Sequence, residues 1–232
     1  MLANWQGQQL VNSAKANRDG VIRRFSWDLG AVLSDSPLQM DPAAAACPRT
    51  FLASLFSEND LIWTGDVGES GSERLARRWR TRREWVNTEE YERIGPFVSP
   101  AIWKPATISR AAENVTAAPY TVLDFDGLDG IKPETLEERR ALFDASLALV
   151  RWLREDRGWH LAAIVWTGGK SLHVWFRTPS QTVLESLRTV HKQLGLDPAL
   201  IGHPAQPCRL PGQFHAKTGN WSRVLWLQKS WI

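Results

Sequence analysis

Apolar and polar positions alternate most regularly in the second half of the chain. In "YTVLDFDG" (residues 120–127) the period is two, so Leu123 and Phe125 share one side of a strand and Asp124 and Asp126 the other. Beyond Pro133, Glu134, Glu137 and Glu138 mark a helix start. Leu136, Phe143, Leu147, Val150 and Leu153 then recur at helical spacing until Gly158 stops the helix. "LAAIVWT" and "LHVWF" are rich in β-branched and aromatic residues and predict two strands around a Gly-Gly-Lys-Ser turn. Ser180 caps a second helix through "VLESLRTVHKQL", Gly195 closes it, and "RVLWL" is a last strand. The order β-α-β-β-α-β is that of a split βαβ, ferredoxin-like unit. In that topology the first and third strands are central neighbours, which predicts Asp124 and Asp126 together on an exposed sheet face near His173.

The first half is less regular. Residues 1–58 mix helix-like pieces with Pro and Ala punctuation and read as a helical lead-in. A short strand at Leu61–Thr64, a Gly-rich loop, a basic helix and an extended segment through "GPFVSPAIWKP" follow. At 232 residues and 43% hydrophobic content, the chain is long enough for one sizeable core. It has no apolar run near the ~20 residues that span a bilayer, and its start lacks a signal-peptide profile, so a cytoplasmic protein without membrane contact is expected. Cys47 and Cys208 are too few for a four-ligand zinc site and are expected as buried thiols rather than a disulfide.

Charge adds a second feature. The net charge of +3 is small, but "SERLARRWRTRREWV" gathers Arg74, Arg77, Arg78, Arg80, Arg82 and Arg83 around Trp79 and Trp85. Arginines interleaved with aromatics suit a nucleic-acid backbone with stacked bases. The same stretch also fits a solvated helix face over buried tryptophans.

Candidate chemistry centres on the turn and the aspartates. Gly169-Lys170-Ser171 ends like a phosphate-binding P-loop, but the position of the first P-loop glycine is Ile164, and a strand follows instead of a helix. Two carboxylates on one strand face repel each other unless a cation neutralises them, which predicts a divalent metal such as Mg²⁺ or Mn²⁺. Asp-Gly-Leu-Asp-Gly also fits a plain turn. His173 alone reads equally as a core histidine. Beyond the second helix, an irregular segment gathers Asp197, His203, Arg209, His215 and Lys217, the acids and bases that a site handling a triphosphate needs.

"VLDFDG", "TGGKSLH" and "LDPALIGHPAQPCRLPGQFHAKTG", in this order, resemble the three motifs of the archaeo-eukaryotic primase superfamily, above all primase-polymerases of plasmids, phages and mobile elements. Asp124 and Asp126 fit its Asp-x-Asp motif, Ser171 and His173 its Ser-x-His motif. Asp197, with Arg209 and Lys217, fits the third. The resemblance implies an α+β fold, with an RRM-like catalytic sheet over residues 120–232 packed with an N-terminal α/β unit over 59–119. It implies a two-metal Mg²⁺ or Mn²⁺ site held by Asp124, Asp126 and Asp197. Lys170, Ser171, His173, Arg209, His215 and Lys217 would bind an NTP or dNTP. Single-stranded DNA template and primer are the implied partners. The sequence shows no helicase segment, so unwinding would fall to a separate helicase or replication protein. Two other readings compete. An RRM-type module that only binds single-stranded nucleic acid shows stacking aromatics where this strand carries aspartates, and an inactive primase relative would act as a scaffold in a replication or defence complex. A two-histidine phosphoesterase is excluded because "HVWF" and "HAKT" lack the hydroxyl at the required place.

Overall fold

The computed structural model describes residues 15–68, 77–89 and 94–229. Helix α1 covers residues 15–24. Short helices α2 (Leu29–Ser34), α3 (Pro42–Ala45) and α4 (Pro48–Leu55) come next. Strands β1 (Leu61–Gly65) and β2 (Trp79–Thr81), helix α5 (Arg82–Asn87) and strands β3 (Phe97–Val98), β4 (Ile102–Trp103) and β5 (Val115–Ala117) follow. The alternating half contains β6 (Tyr120–Phe125), α6 (Leu136–Glu155), β7 (Leu161–Trp166), β8 (Leu172–Arg177), α7 (Gln181–Thr189) and α8 (His191–Leu194). Strands β9 (Cys208–Arg209), β10 (Phe214–His215), β11 (Asn220–Trp221) and β12 (Arg223–Leu227) complete it. The chain is a mixed α+β protein with antiparallel sheets. No described helix is long and apolar enough to cross a membrane.

The larger sheet has the order β12-β7-β8-β6. The first strand of the alternating half, β6, does lie beside the third, β8, but it is an edge strand rather than a central one. The reason lies in the chain after α8. Leu196 bridges to Phe125, the Asp126 amide donates to the Gly195 carbonyl and the Asp197 amide to that of Asp124, so this segment runs along the end of β6. The last strand then pairs with β7 on the other side.

A second sheet, β2-β1-β3-β9, takes three strands from the first half and its fourth from residues 208–209. One apolar cluster joins Leu123, Phe125, Val174 and Phe176 to Leu147, Val150 and Leu153 of α6. A second joins Tyr120, Val122 and Trp175 to Phe51, Leu52 and Leu55 of α4. Each fully buried Leu or Phe contributes about 1.5 to 3 kcal/mol relative to exposure. The sheet face carrying Asp124 is therefore not exposed as the alternation suggests. Phe51 packs edge-on against Trp175 at 5.3 Å, and the Tyr120 hydroxyl donates to the Leu55 carbonyl oxygen, leaving only the Asp124 end of that face open.

Helix starts follow their caps. Thr135 accepts from the Glu138 amide while Glu138 accepts from the Thr135 amide, which places the N-cap of α6 two residues beyond Pro133. Thr81 and Glu84 form the same box at α5. This cap divides the arginine-rich stretch. Its described part, from Arg77 onward, is a strand followed by a short helix, rather than one basic helix.

Candidate active site

The β6–β8 register sets Asp124 directly across from His173, both pointing to the open end of the α4-covered face. Strand β9 arrives alongside: the Arg209 amide donates to His173 Nδ1 at 3.0 Å. With Nδ1 accepting, the proton of a neutral imidazole resides on Nε2, which faces Asp124 Oδ2 at 3.7 Å. Asp124 Oδ1 is buried and has no hydrogen-bond partner. A buried carboxylate oxygen left unpaired costs several times an ordinary hydrogen bond unless a cation meets it.

Asp197 enters by the backbone bond to Asp124, and its Oδ1 accepts from the Ala199 amide at 2.9 Å. Asp124, Asp197, Ser171, His173, Arg209 and His215 line one cleft of about 330 Å³. Six of the residues singled out from the sequence thus converge, although they come from three separate motifs. Thr167 and Phe97 also line it and were not anticipated: Thr167 reads as a strand end, and Phe97, whose ring lies 4.6 Å from the Arg209 guanidinium, belongs to the other sheet. Burial lowers the Arg209 pKa, with the Asp66 charge opposing the shift. Cys208, next along β9, is fully buried; burial pushes its thiol well up, and the Asp124 charge adds to that. Neither cysteine is in a disulfide, and Cys47 is half-buried.

Asp126 departs from the expected cluster. It follows the end of β6 and lines a neighbouring cleft of about 290 Å³, together with Asp197 and Lys132. Its Oδ1 meets Lys170 Nζ at 2.7 Å and its Oδ2 meets Lys132 Nζ at 3.1 Å. Lys170 is thus spent on a carboxylate instead of lining the Asp124 cleft. The Asp126 hydrogen bond raises the Lys132 pKa, followed by the charges of Asp126, Asp197 and Asp124. Lys132 sits in a polar turn with no periodic signal, so nothing in the sequence pattern marks it.

The Gly-Gly-Lys-Ser turn is held from both sides. The Thr167 amide and hydroxyl donate to the Ser171 carbonyl, and the Thr167 and Ser171 hydroxyls lie 3.2 Å apart. Gly168 has φ +82°, and the Thr218 hydroxyl and Asn220 Nδ2 donate to its carbonyl. A Cβ on Gly169 would come within 3.1 Å of His215 Nε2, so the glycine lets the β10–β11 hairpin close over the turn. Lys217 lies on the outer side, in a larger groove with Lys170. His203 is exposed and lines neither cleft.

The arginine stretch divides by role. Arg82 is buried, and its Nε donates to the Phe56 carbonyl at 3.1 Å. Arg80 lies over the Trp85 ring at 5.1 Å, Arg78 is half-buried in the turn before β2, and Arg77 and Arg83 are exposed. Arg74 falls outside the described residues. None of the described five lines either cleft.

No family model matches the chain, and no curated protein matches it. Among solved structures, it is similar to the AEP domain of the cyanophage S-2L primase-polymerase (PrimPol). The two share 18% sequence identity over 55% of this chain and 60% of that one, with a TM-score of 0.34. The match spans about 60% of that chain's length, and the functional reading rests on the residues of the site itself.

Those residues fit a hard divalent cation in chemistry. Mg²⁺ and Mn²⁺ take oxygen donors, often one or two carboxylates with water and phosphate oxygens filling the shell. Asp124, with its unpaired buried oxygen, and Asp197 in the same cleft are such donors. Among the described residues, no three His, Cys, Asp or Glu side chains are gathered into a ready-made cage. At Asp126, two ammonium groups stand where a cation's charge is needed.

Proposed function

We propose that the chain is a metal-dependent nucleotidyltransferase of the primase-polymerase kind, adding an NTP or dNTP to a 3′-hydroxyl on a single-stranded template. The observation that carries this reading is the buried, unpaired Asp124 Oδ1, in a cleft that also holds Asp197 and is rimmed by Arg209, His173 and His215. Acid at the floor and base at the rim is the polarity a metal-bound triphosphate requires. The order of the three motifs supports the same reading.

In this site Asp124 and Asp197 would hold Mg²⁺ or Mn²⁺, with Asp126 as a further donor once its lysines are displaced. When bound, the metal supplies Lewis-acid activation of the attacking hydroxyl and charge stabilisation of the leaving pyrophosphate. The Arg209 guanidinium, steadied over Phe97, offers charge-assisted donors to phosphate oxygens. His173 bonds the β9 backbone and faces Asp124, holding the acid and the arginine strand in register. Ser171 and Thr167 add hydroxyl groups to the wall, and His215 closes it from the hairpin.

The lysine pair on Asp126 favours a second reading, a catalytically silent relative that binds nucleic acid alone. One experiment separates the two: a primed single-stranded template with labelled nucleotides and Mg²⁺ or Mn²⁺, for the wild type and Asp124→Asn. Metal-dependent extension lost in Asp124→Asn supports the transferase. Oligonucleotide binding with no extension under either metal supports the silent relative.

A further inference from the structure

A second basic surface lies on the outer side of the same turn, away from the arginine stretch singled out in the sequence. A groove of about 820 Å³ runs between the start of α6, the Gly168–Ser171 turn and the β10–β11 hairpin. Five cations line it, namely Arg139, Arg140, Lys170, Lys217 and Arg223, against the single acid Asp144. Lys170 is neutralised by Asp126, and the other four leave a strong positive excess. The groove is not only charged. Trp166 lines it with Arg223 placed 5.6 Å from its ring, and Phe143 and Leu136 line the α6 side. Leu136 is 66% exposed at the first residue of α6, where a helix contributing only to the core would carry a polar group. The hairpin also exposes Phe214 and Trp221, whose rings lie 5.4 Å apart.

We propose that this groove holds a single strand of nucleic acid, its phosphates along the arginines and its bases against Trp166 and the apolar wall. The inference rests on the nucleotidyl-transfer reading and names where that activity's strand would lie. A cationic groove with aromatic rings in its wall meets the physical requirement for sequence-tolerant binding of a single strand. The placement is economical, because the turn is shared: Thr167 and Ser171 line the Asp124 cleft, while Gly169 and Lys170 line the groove. A strand in the groove is one turn away from the acids. The arginine stretch, by contrast, has lost Arg82 to the core and sets Arg80 against Trp85.

The test is fluorescence anisotropy of a labelled oligothymidylate of about 12 nucleotides, in EDTA, with salt varied between about 50 and 200 mM. It needs neither metal nor nucleotide, so it reads the groove independently of catalysis. Arg140→Glu with Lys217→Glu and Arg223→Glu should weaken binding at least about tenfold and lower the log-log salt slope by roughly 2 units. The milder triple change to Gln, with an unchanged circular dichroism spectrum, should show the same direction. Arg77→Glu with Arg83→Glu should change binding much less. In the wild type, bound oligonucleotide should protect Lys217 from acetylation. Wild-type binding that persists with an unchanged slope in both groove variants overturns the groove, as does loss confined to the Arg77 and Arg83 variant. A wild type that binds no oligonucleotide overturns the groove, while the nucleotidyl-transfer reading stands or falls separately on the primed-template extension.

Discussion

The Asp197 amide donates to the Asp124 carbonyl oxygen at 2.9 Å, so a backbone bond, rather than nearness in sequence, brings two carboxylates to one cleft. That bond makes the chain after α8 part of the edge of β6. The acids then share a wall with His173, which is itself anchored by the Arg209 amide. Disturbing one of these groups should be felt by the others.

Replacing Asp124 by Asn removes a half-buried charge whose buried Oδ1 has no protein partner. The metal-free variant should be as stable as the wild type or more so, since an uncompensated carboxylate is no longer held out of water. Mn²⁺ should raise the wild-type melting temperature in a concentration-dependent way and leave that of Asp124→Asn almost unchanged. Equal Mn²⁺ shifts in the two proteins would remove Asp124 from the metal site.

His173→Ala should cost about 1 to 3 kcal/mol, because it strands the Arg209 amide as a buried donor. His173→Asn, which keeps an acceptor on the side chain, should recover part of that loss. Denaturant midpoints measure both. An alanine variant as stable as the wild type would show that the Arg209 amide finds another acceptor and that His173 is not a structural anchor.

Lys132 competes with any cation for Asp126. Lys132→Ala should therefore tighten Mn²⁺ binding by about two- to fivefold, the scale of an exposed ion pair. Titration calorimetry with Mn²⁺ decides this. Weaker binding in the variant would instead make Lys132 a supporting part of the site.

The capping boxes predict an acid-sensitive component of stability. Hydroxyl and then backbone hydrogen bonds from Thr81 lower the Glu84 pKa, and backbone N–H hydrogen bonds from Thr135 and Glu134 lower that of Glu138. A folded-state pKa below the unfolded one stabilises the fold fully above the ordinary glutamate value of about 4.3 and loses that contribution as pH falls through the folded value. Glu84→Gln with Glu138→Gln should thus flatten the stability decline below pH ~4.3, seen in urea midpoints across that range. A decline as steep as in the wild type would place the acid sensitivity elsewhere.

Cys208 should resist thiol reagents in the native state. Its thiol is held protonated first by burial and then by the Asp124 charge, so it lacks the thiolate that reacts. Labelling of Cys208 with a coloured disulfide should occur only on unfolding. Rapid labelling of Cys208 would mean that β9 opens readily from β3.

Much of this protein could be read from one dimension. Period-two alternation marks β6, β-branched and aromatic runs mark β7 and β8, and helical spacing marks α6, because each depends on neighbours within a few residues. The motif residues Asp124, Ser171, His173, Asp197, Arg209 and His215 were legible as chemistry and do converge on one cleft. Tertiary structure alone decided the rest. Alternation specifies which residues share a face, but not what covers it, and only the packing of α4 shows that Phe51 and Leu52 close the face that Asp124 shares. Strand order depends on which edge the returning chain finds free: the segment at Leu196 occupies the end of β6, so β12 joins β7. The pairing of Asp126 with Lys170 and Lys132 was equally hidden, because long, flexible ammonium side chains choose partners by proximity in space, and no periodicity records that choice.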